Sequence, residues 1–182
     1  MGSFSEELLD EILENLQKVD DGLFFEIGYD AHAKLFELII TPEGKHKKID
    51  LTREIIASAP PVKDWKFIAF KPALGFGFVT EYEDIYIDPK LIWFLPLNSK
   101  SHPLDIGIRI GIKNFNLAKE KQILSACYIV LDTCLGEESV MQDIAYVDVC
   151  DLPENPVEEG FIEFIEIKEY IEWIKRKTRK IH

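Results

Sequence analysis

Residues 65–97, from Trp65 to Leu97, read WKFIAFKPALGFGFVTEYEDIYIDPKLIWFLPL. The stretch is rich in aromatic and β-branched residues and is broken by Pro72, Gly75, Gly77 and Pro89. That is the pattern of consecutive strands separated by turns. Over 65–70 the odd positions Trp65, Phe67 and Ala69 and the even positions Ile68 and Phe70 are apolar. A strand apolar on both faces is expected to be buried on both, and hence to lie centrally in a sheet. Further strands are expected over 76–81, 84–87 and 91–95.

Upstream, 3–19 is expected to be an amphipathic helix. Phe4, Leu8, Ile12, Leu16 and Val19 form one stripe, Ser3 and Glu6 have capping-box spacing, and Asp20-Asp21-Gly22 ends the run. Residues 23–29 alternate as a strand, 35–41 form a second, and Asp30-Ala31-His32-Ala33 joins them as a hairpin. A short helix over 51–57 is closed by Ala59-Pro60-Pro61. Downstream, Ile106, Ile108, Ile110 and Ile112 alternate with Asp105, Gly107, Arg109 and Gly111. A strand over 104–112 with one buried face and one small or solvated face follows. The longest helix is expected over 117–135 with Gly136 as its C-cap. A helical turn over 137–143, a strand over 144–150, an acidic loop over 151–160 and a helix from Phe161 or Phe164 to residue 181 complete the chain.

The elements at 35–41, 51–57, 65–70, 104–112, 117–135 and 144–150 spell βαββαβ, the ferredoxin-like split unit. The expected fold class is therefore α+β, a mostly antiparallel sheet covered by helices, with an inserted hairpin and added terminal helices. With 182 residues, one domain over 1–182 is expected, its core at about 23–150 and helices 3–19 and 164–181 packed on it.

The composition narrows the function. A hydrophobic share of 47% supports a packed core, and 33 Asp and Glu against 21 Lys and Arg give a formal net charge of −12. That field repels nucleic-acid backbones and anionic membranes and favours a basic partner; no DNA or membrane partner is expected. The first residues lack a basic, apolar leader, and no apolar run reaches the length of a membrane span, so a cytoplasmic location is expected. Gly2 is not expected to be myristoylated, because Glu6 stands where Ser or Thr is wanted. Cys127 and Cys134 lie seven residues apart on one helix, about 10 Å along its axis and too far for a disulfide. With Cys150 on a strand, all three are expected to be reduced, buried thiols.

Several constellations invite chemistry. Gly75-Phe76-Gly77-Phe78-Val79 matches the middle of an RNA-recognition strand whose aromatics stack bases, but Leu74 replaces the basic residue and Glu81 the last aromatic. Gly75-x-Gly77 lacks the third glycine of a dinucleotide loop. Asp30 with His32 is a candidate acid–base pair, against the simpler expectation of a solvated turn. His46, His102 and His182 have no metal-ligand spacing. Asp132, Glu137 and Glu138 are candidate paired carboxylates, against a role in starting the next helical turn. Ser99 and Ser101 lack a nucleophile-elbow context. Trp65, Trp93 and Trp173 are expected to be core or interface anchors. The run 175–180 is expected to be a solvated tail matched to the helix dipole.

Ala59-Pro60 followed by Trp65-Lys66-Phe67, Ala69-Phe70 and Pro72, then Leu131-Asp132-x-x-Leu135-Gly136-Glu137 and the strand over 144–149, resembles a family of uncharacterised bacterial domains of unknown function. The resemblance covers about residues 35–150. It implies an α+β fold and a cytoplasmic bacterial setting, and it carries no activity, cofactor or catalytic residue.

With no catalytic residue, cofactor or metal assigned, the expected function is a non-enzymatic acidic domain that binds another protein as a regulator or inhibitor. The alternative is a small-molecule-binding protein or enzyme whose site is assembled from distant residues. An RNA-binding module is third and requires both Phe76 and Phe78 to be exposed. A homodimer would cover the edges of an aromatic-rich sheet.

Overall fold

The structure, a computed structural model, describes residues 4–98 and 105–178. The fold is α+β, with about 40% of the described residues in helix and 28% in strand. The chain divides into two compact units, Met1–Lys71 and Pro72–His182, and the expected core over 23–150 is shared between two buried clusters.

In the first unit α1 (Glu6–Val19) is followed by β1 (Phe24–Asp30), β2 (Leu35–Thr41), α2 (Ile49–Ser58) and β3 (Trp65–Ala69). The N-cap of α1 is Ser5, whose hydroxyl accepts the Leu8 N–H at 3.3 Å. Glu6 is therefore the first helical residue rather than the third-position partner of a capping box, and Ser3 lies outside the described residues. Asp30 Oδ1 accepts the N–H groups of His32 and Ala33 at 2.8 and 3.0 Å, and Lys34 takes a left-handed φ of 57°. This local turn sets the antiparallel register from Phe24↔Thr41 to Asp30↔Leu35.

The strand order is β1-β2-β3, with β2 and β3 parallel. Residues 65–70 were expected to be central, but β3 is an edge and β2 is the middle strand. The apolar character of β3 has a different origin. Trp65 stacks beside its register partner Phe36 with ring centroids 5.2 Å apart, and Phe4 closes on both at 5.4 and 5.6 Å. On the same side, Leu38, Ile40 and Phe25 pack with Leu16 of α1 and Leu51, Ile55 and Ile56 of α2. The opposite side carries the cross-strand pair Lys66–Glu37 at 3.0 Å.

In the second unit β4 (Thr80–Tyr82) and β5 (Ile85–Ile87) form a small hairpin. They are followed by β6 (Trp93–Leu97), β7 (Ile106–Ile112), α3 (Glu120–Leu135), α4 (Glu137–Asp143), β8 (Ile144–Asp151), β9 (Ile162–Glu163) and α5 (Ile167–Thr178). The larger sheet runs β8-β7-β6-β9, with β7 and β8 parallel and the other pairs antiparallel. Its core joins Ile106, Ile108 and Ile110 of β7 and Val147 and Val149 of β8 to α3 and α5. Phe94, Phe164, Leu131 and Ile167 are wholly buried there, each side chain contributing about 1.5–3 kcal/mol of apolar burial. Gly136, at a φ of 85°, ends α3 as expected, its N–H bonded to Asp132 O at 2.8 Å.

The ferredoxin-like arrangement is not formed. In a split unit another strand separates the two parallel strands, whereas β2 and β3, and likewise β7 and β8, are direct neighbours in two different sheets. The expected strand over 76–81 is mostly irregular, with only 80–82 extended. The strand expected over 91–95 lies at Trp93–Leu97 and includes Pro96. Proline is tolerated because β9 pairs only with Trp93 and Phe94, so no neighbour needs an N–H from residue 96. The face of β7 expected to be small or solvated is small at Gly107 and Gly111, and there it is covered. Gly107 lies under Leu97 and Gly111 under Leu152 and Phe161.

Candidate functional site

The first turns of α1 read Glu6-Glu7-Leu8-Leu9-Asp10-Glu11-Ile12-Leu13-Glu14. At 3.6 residues per turn the five carboxylates fall within an arc of roughly 140° and about 12 Å of helix length. All five are exposed, and the opposite arc leads to Leu16, buried against Leu23 and Ile40. Among the described residues none of the five is ion-paired, and the nearest helical cation, Lys18, donates instead to Asn15 Oδ1 at 3.1 Å. Glu6 and Glu7 are favoured by the positive end of the helix dipole, but that effect fades after the first turn. Asp10, Glu11 and Glu14 lie beyond it. Pairs such as Glu7–Glu11 and Asp10–Glu14, at i and i+4, each cost about 0.2–0.5 kcal/mol by like-charge repulsion. The arc is thus a local cost that the isolated fold does not relieve.

The other candidates come apart. Residues 75–79 form a loop tethered by the Leu74 N–H to Thr133 O at 2.8 Å. Phe76 is half-buried with its ring 6.2 Å from Phe164, edge to face, while Phe78 is 53% exposed. The paired, strand-borne stacking platform that RNA requires is not assembled. The Asp30 carboxyl is held below the usual carboxylate range by the backbone N–H groups of Ala33 and His32. Both bonds are to backbone, and the side chain of His32 is on an exposed turn, while His46 is exposed at the start of a short 3-10 helix, His46–Lys48. His102, His182, Ser99 and Ser101 lie outside the described residues.

Glu137 is wholly buried at the start of α4, Asp132 and Glu138 are half-buried, and all three are engaged within the protein. Gly136, not a carboxylate, occupies the cap position of α4. Among the described residues no group of three His, Cys, Asp or Glu could hold a metal ion. Burial pushes the Cys127 thiol up to about 12 and that of Cys134 up to about 11. Cys150 was expected to be buried but is half-buried, and burial raises it against the opposing pull of Arg109.

A small cavity of about 70 Å³ lies among Cys134, Ser139, Asp143, Lys168, Glu172 and Lys175. Ligand pockets run to about 300–1,000 Å³, and this one has its polar groups turned on each other. Lys175 Nζ donates to Asp143 at 2.6 Å. The basic run beginning at Lys175 is accordingly not simply solvated: Lys177 sits 3.7 Å from the ring centroid of Trp173. Trp65 and Trp93 are half-buried and Trp173 is 45% exposed. Among the described residues no helix is long and apolar enough to cross a membrane.

Two features escaped the sequence reading. The acidic arc is legible in the i, i+3, i+4 spacing of Glu7, Asp10, Glu11 and Glu14 on the side of the helix away from Leu16. The Arg109–Asp148 pair, with Arg109 Nε and Nη2 at 2.8 and 2.6 Å from Asp148 Oδ2, joins residues 39 apart and leaves no local signal.

No protein-family model, curated protein or solved structure matches the chain. The resemblance drawn on Ala59-Pro60, the Trp65–Pro72 segment and Leu131–Glu137 therefore rests on those residues alone.

Proposed function

We propose that this chain is a non-enzymatic, cytoplasmic protein-binding domain that uses the acidic arc of α1 to engage a basic partner as a regulator or inhibitor. The observation that carries it is the set of five exposed carboxylates without an ion-pair partner. A surface that keeps Asp10, Glu11 and Glu14 together despite their repulsion fits one whose charge is neutralised by binding. The net charge of −12 extends the attraction beyond the helix. The cavity beside Cys134 is small and holds the Lys175–Asp143 pair, so it does not itself favour the small-molecule alternative.

The test is capture from a native host lysate with the wild type and with a variant carrying Asp10→Asn, Glu11→Gln and Glu14→Gln. One stoichiometric basic protein, released as salt rises and lost with the variant, is the expected result. A partner retained equally by the variant, or no partner at all, removes the arc from the function.

A further inference from the structure

The outer side of β8 carries no strand: in the order β8-β7-β6-β9 it is the terminal strand among the described residues, eight residues long. Its hydrogen-bond phase follows from one bond and the register. Leu152 N–H donates to Ile112 O at 3.1 Å, and Ile112 is in register with Asp151. In a parallel ladder alternate residues face the partner, so Tyr146, Asp148, Cys150 and Leu152 turn their backbone groups to β7. Val147, Val149 and Asp151 therefore turn theirs outward, away from the sheet. Such a row is a template for a further strand.

The middle donor of that row is occupied. Val149 N–H donates to Asp148 Oδ1 at 2.8 Å, while Oδ2 of the same carboxylate is gripped by Arg109 from the neighbouring strand. Arg109 and Asp148 are register partners, so the grip spans one strand spacing and fixes the rotamer of the aspartate. Both oxygens are used, one inward to the guanidinium and one on the outward N–H.

We infer that Asp148, held by Arg109, closes the edge of β8 against pairing with the same strand of a second copy of this chain. A second copy fits this edge because the outward row Val147, Val149 and Asp151 is self-complementary about Val149. Antiparallel β8 strands related by a two-fold axis at Val149 would place Val147 opposite Asp151 and match outward donors to outward acceptors at every odd position. With the Val149 N–H already satisfied and a carboxylate beside it, the central bond pair of that ladder cannot form.

The test compares the wild-type chain with Asp148→Ala and Asp148→Asn by sedimentation velocity over a concentration series, with amide exchange followed by NMR. The wild type is expected to be monomeric, with the Val149 amide exchanging more slowly than those of Val147 and Asp151. Asp148→Ala is expected to associate at least about tenfold more tightly, the change that one freed hydrogen bond of about 1.4 kcal/mol supplies. Its Val147 and Val149 amides are expected to become protected as concentration rises. Asp148→Asn has one acceptor oxygen for two donors, the Arg109 guanidinium and the Val149 N–H. It is expected to associate more tightly than the wild type but no more tightly than Asp148→Ala. Wild-type pairing through β8, a monomeric Asp148→Ala, or association that leaves these amides unprotected would each overturn the inference. Should Asp148→Ala fail to fold, the order of exchange in the wild type decides it alone.

Discussion

Lys175, on α5, donates to Asp143 Oδ2 at 2.6 Å and so ties the end of α4 to the terminal helix. The aspartate side chain is 11% exposed and the lysine 37%, so the bond is far better shielded than an ordinary surface pair. Lys175→Met is expected to leave a nearly buried carboxylate without its cation and to cost about 1–3 kcal/mol in urea unfolding. Adding Asp143→Asn to that variant is expected to recover part of the loss, and a double-mutant cycle reads the coupling.

Gly111 and Gly28, both on strands, differ in what an added side chain would meet. A Cβ on Gly111 would stand 2.8 Å from Leu152 Cδ1 and 2.9 Å from Phe161 Cε1, and Phe161 is only 7% exposed. Gly111→Ala is expected to destabilise by about 1–3 kcal/mol through overpacking. On Gly28, in the middle of β1, the nearest atom would be Glu37 Oε2 at an ordinary 3.5 Å. Gly28→Ala is expected to be neutral or to stabilise by up to about 1 kcal/mol, by restricting the unfolded chain. Thermal denaturation of the two variants should move them in opposite directions, and equal losses would contradict the packing described around β7.

The turn at Asp30 gives a pH dependence whose sign is fixed. Its carboxyl is lowered by the N–H groups of Ala33 and His32, so the folded state holds its proton less tightly than the unfolded chain, whose value is about 3.9. The stabilisation is present above that value and is lost as pH falls through the lower folded one. Wild type and Asp30→Ala should therefore differ most at neutral pH and converge as the medium becomes strongly acidic. A ¹³C titration of the Asp30 carboxyl that ended above the unfolded value would reverse the prediction.

The thiols should react in two classes. Cys127 and Cys134 are buried and pushed up to about 12 and about 11, while Cys150 is half-buried at the sheet edge. At pH 8 a disulfide reagent is expected to titrate Cys150 first and slowly in the native protein, with the other two appearing only on unfolding. Rapid reaction of all three would be incompatible with the packing of α3.

What the sequence made legible were the features written in local periodicity. The alternation of Ile106, Ile108 and Ile110 and the glycine stop at Gly136 need only neighbouring residues, and each stands where it was expected. Of the stripe expected on α1, by contrast, only Leu16 is buried, Leu8 and Val19 being exposed and Phe4 preceding the helix. Sheet membership is different, because βαββαβ order is compatible with one sheet or two. Nothing local in Trp65–Ala69 distinguishes a central strand from an edge strand sealed by Phe4 and Phe36. The aromatic segment at Phe76 and Phe78 has the composition of a strand, but its glycines and the bond from Leu74 to Thr133 make it a loop. The acidic arc could have been read from spacing alone. The tie between Arg109 and Asp148 could not, since it depends on which strands become neighbours.

The pairing of each parallel strand directly beside its predecessor also bears on the order of assembly. Asp30 and Leu35 are five residues apart at the hairpin end, whereas Phe36 and Trp65 are twenty-nine apart across the β2–α2–β3 connection. Closing the longer loop costs roughly 1.5 kcal/mol more in chain entropy. The second unit repeats the contrast, with Leu97 and Gly107 ten residues apart and Ile106 and Ile144 thirty-eight apart. Each of the two larger sheets is therefore expected to form its antiparallel ribbon early and to receive its parallel strand late, delivered by a helix. In both units the late strand is an outer one, β3 or β8, so an interrupted folding reaction bares the flank of β2 or β7 and leaves the early ribbon whole.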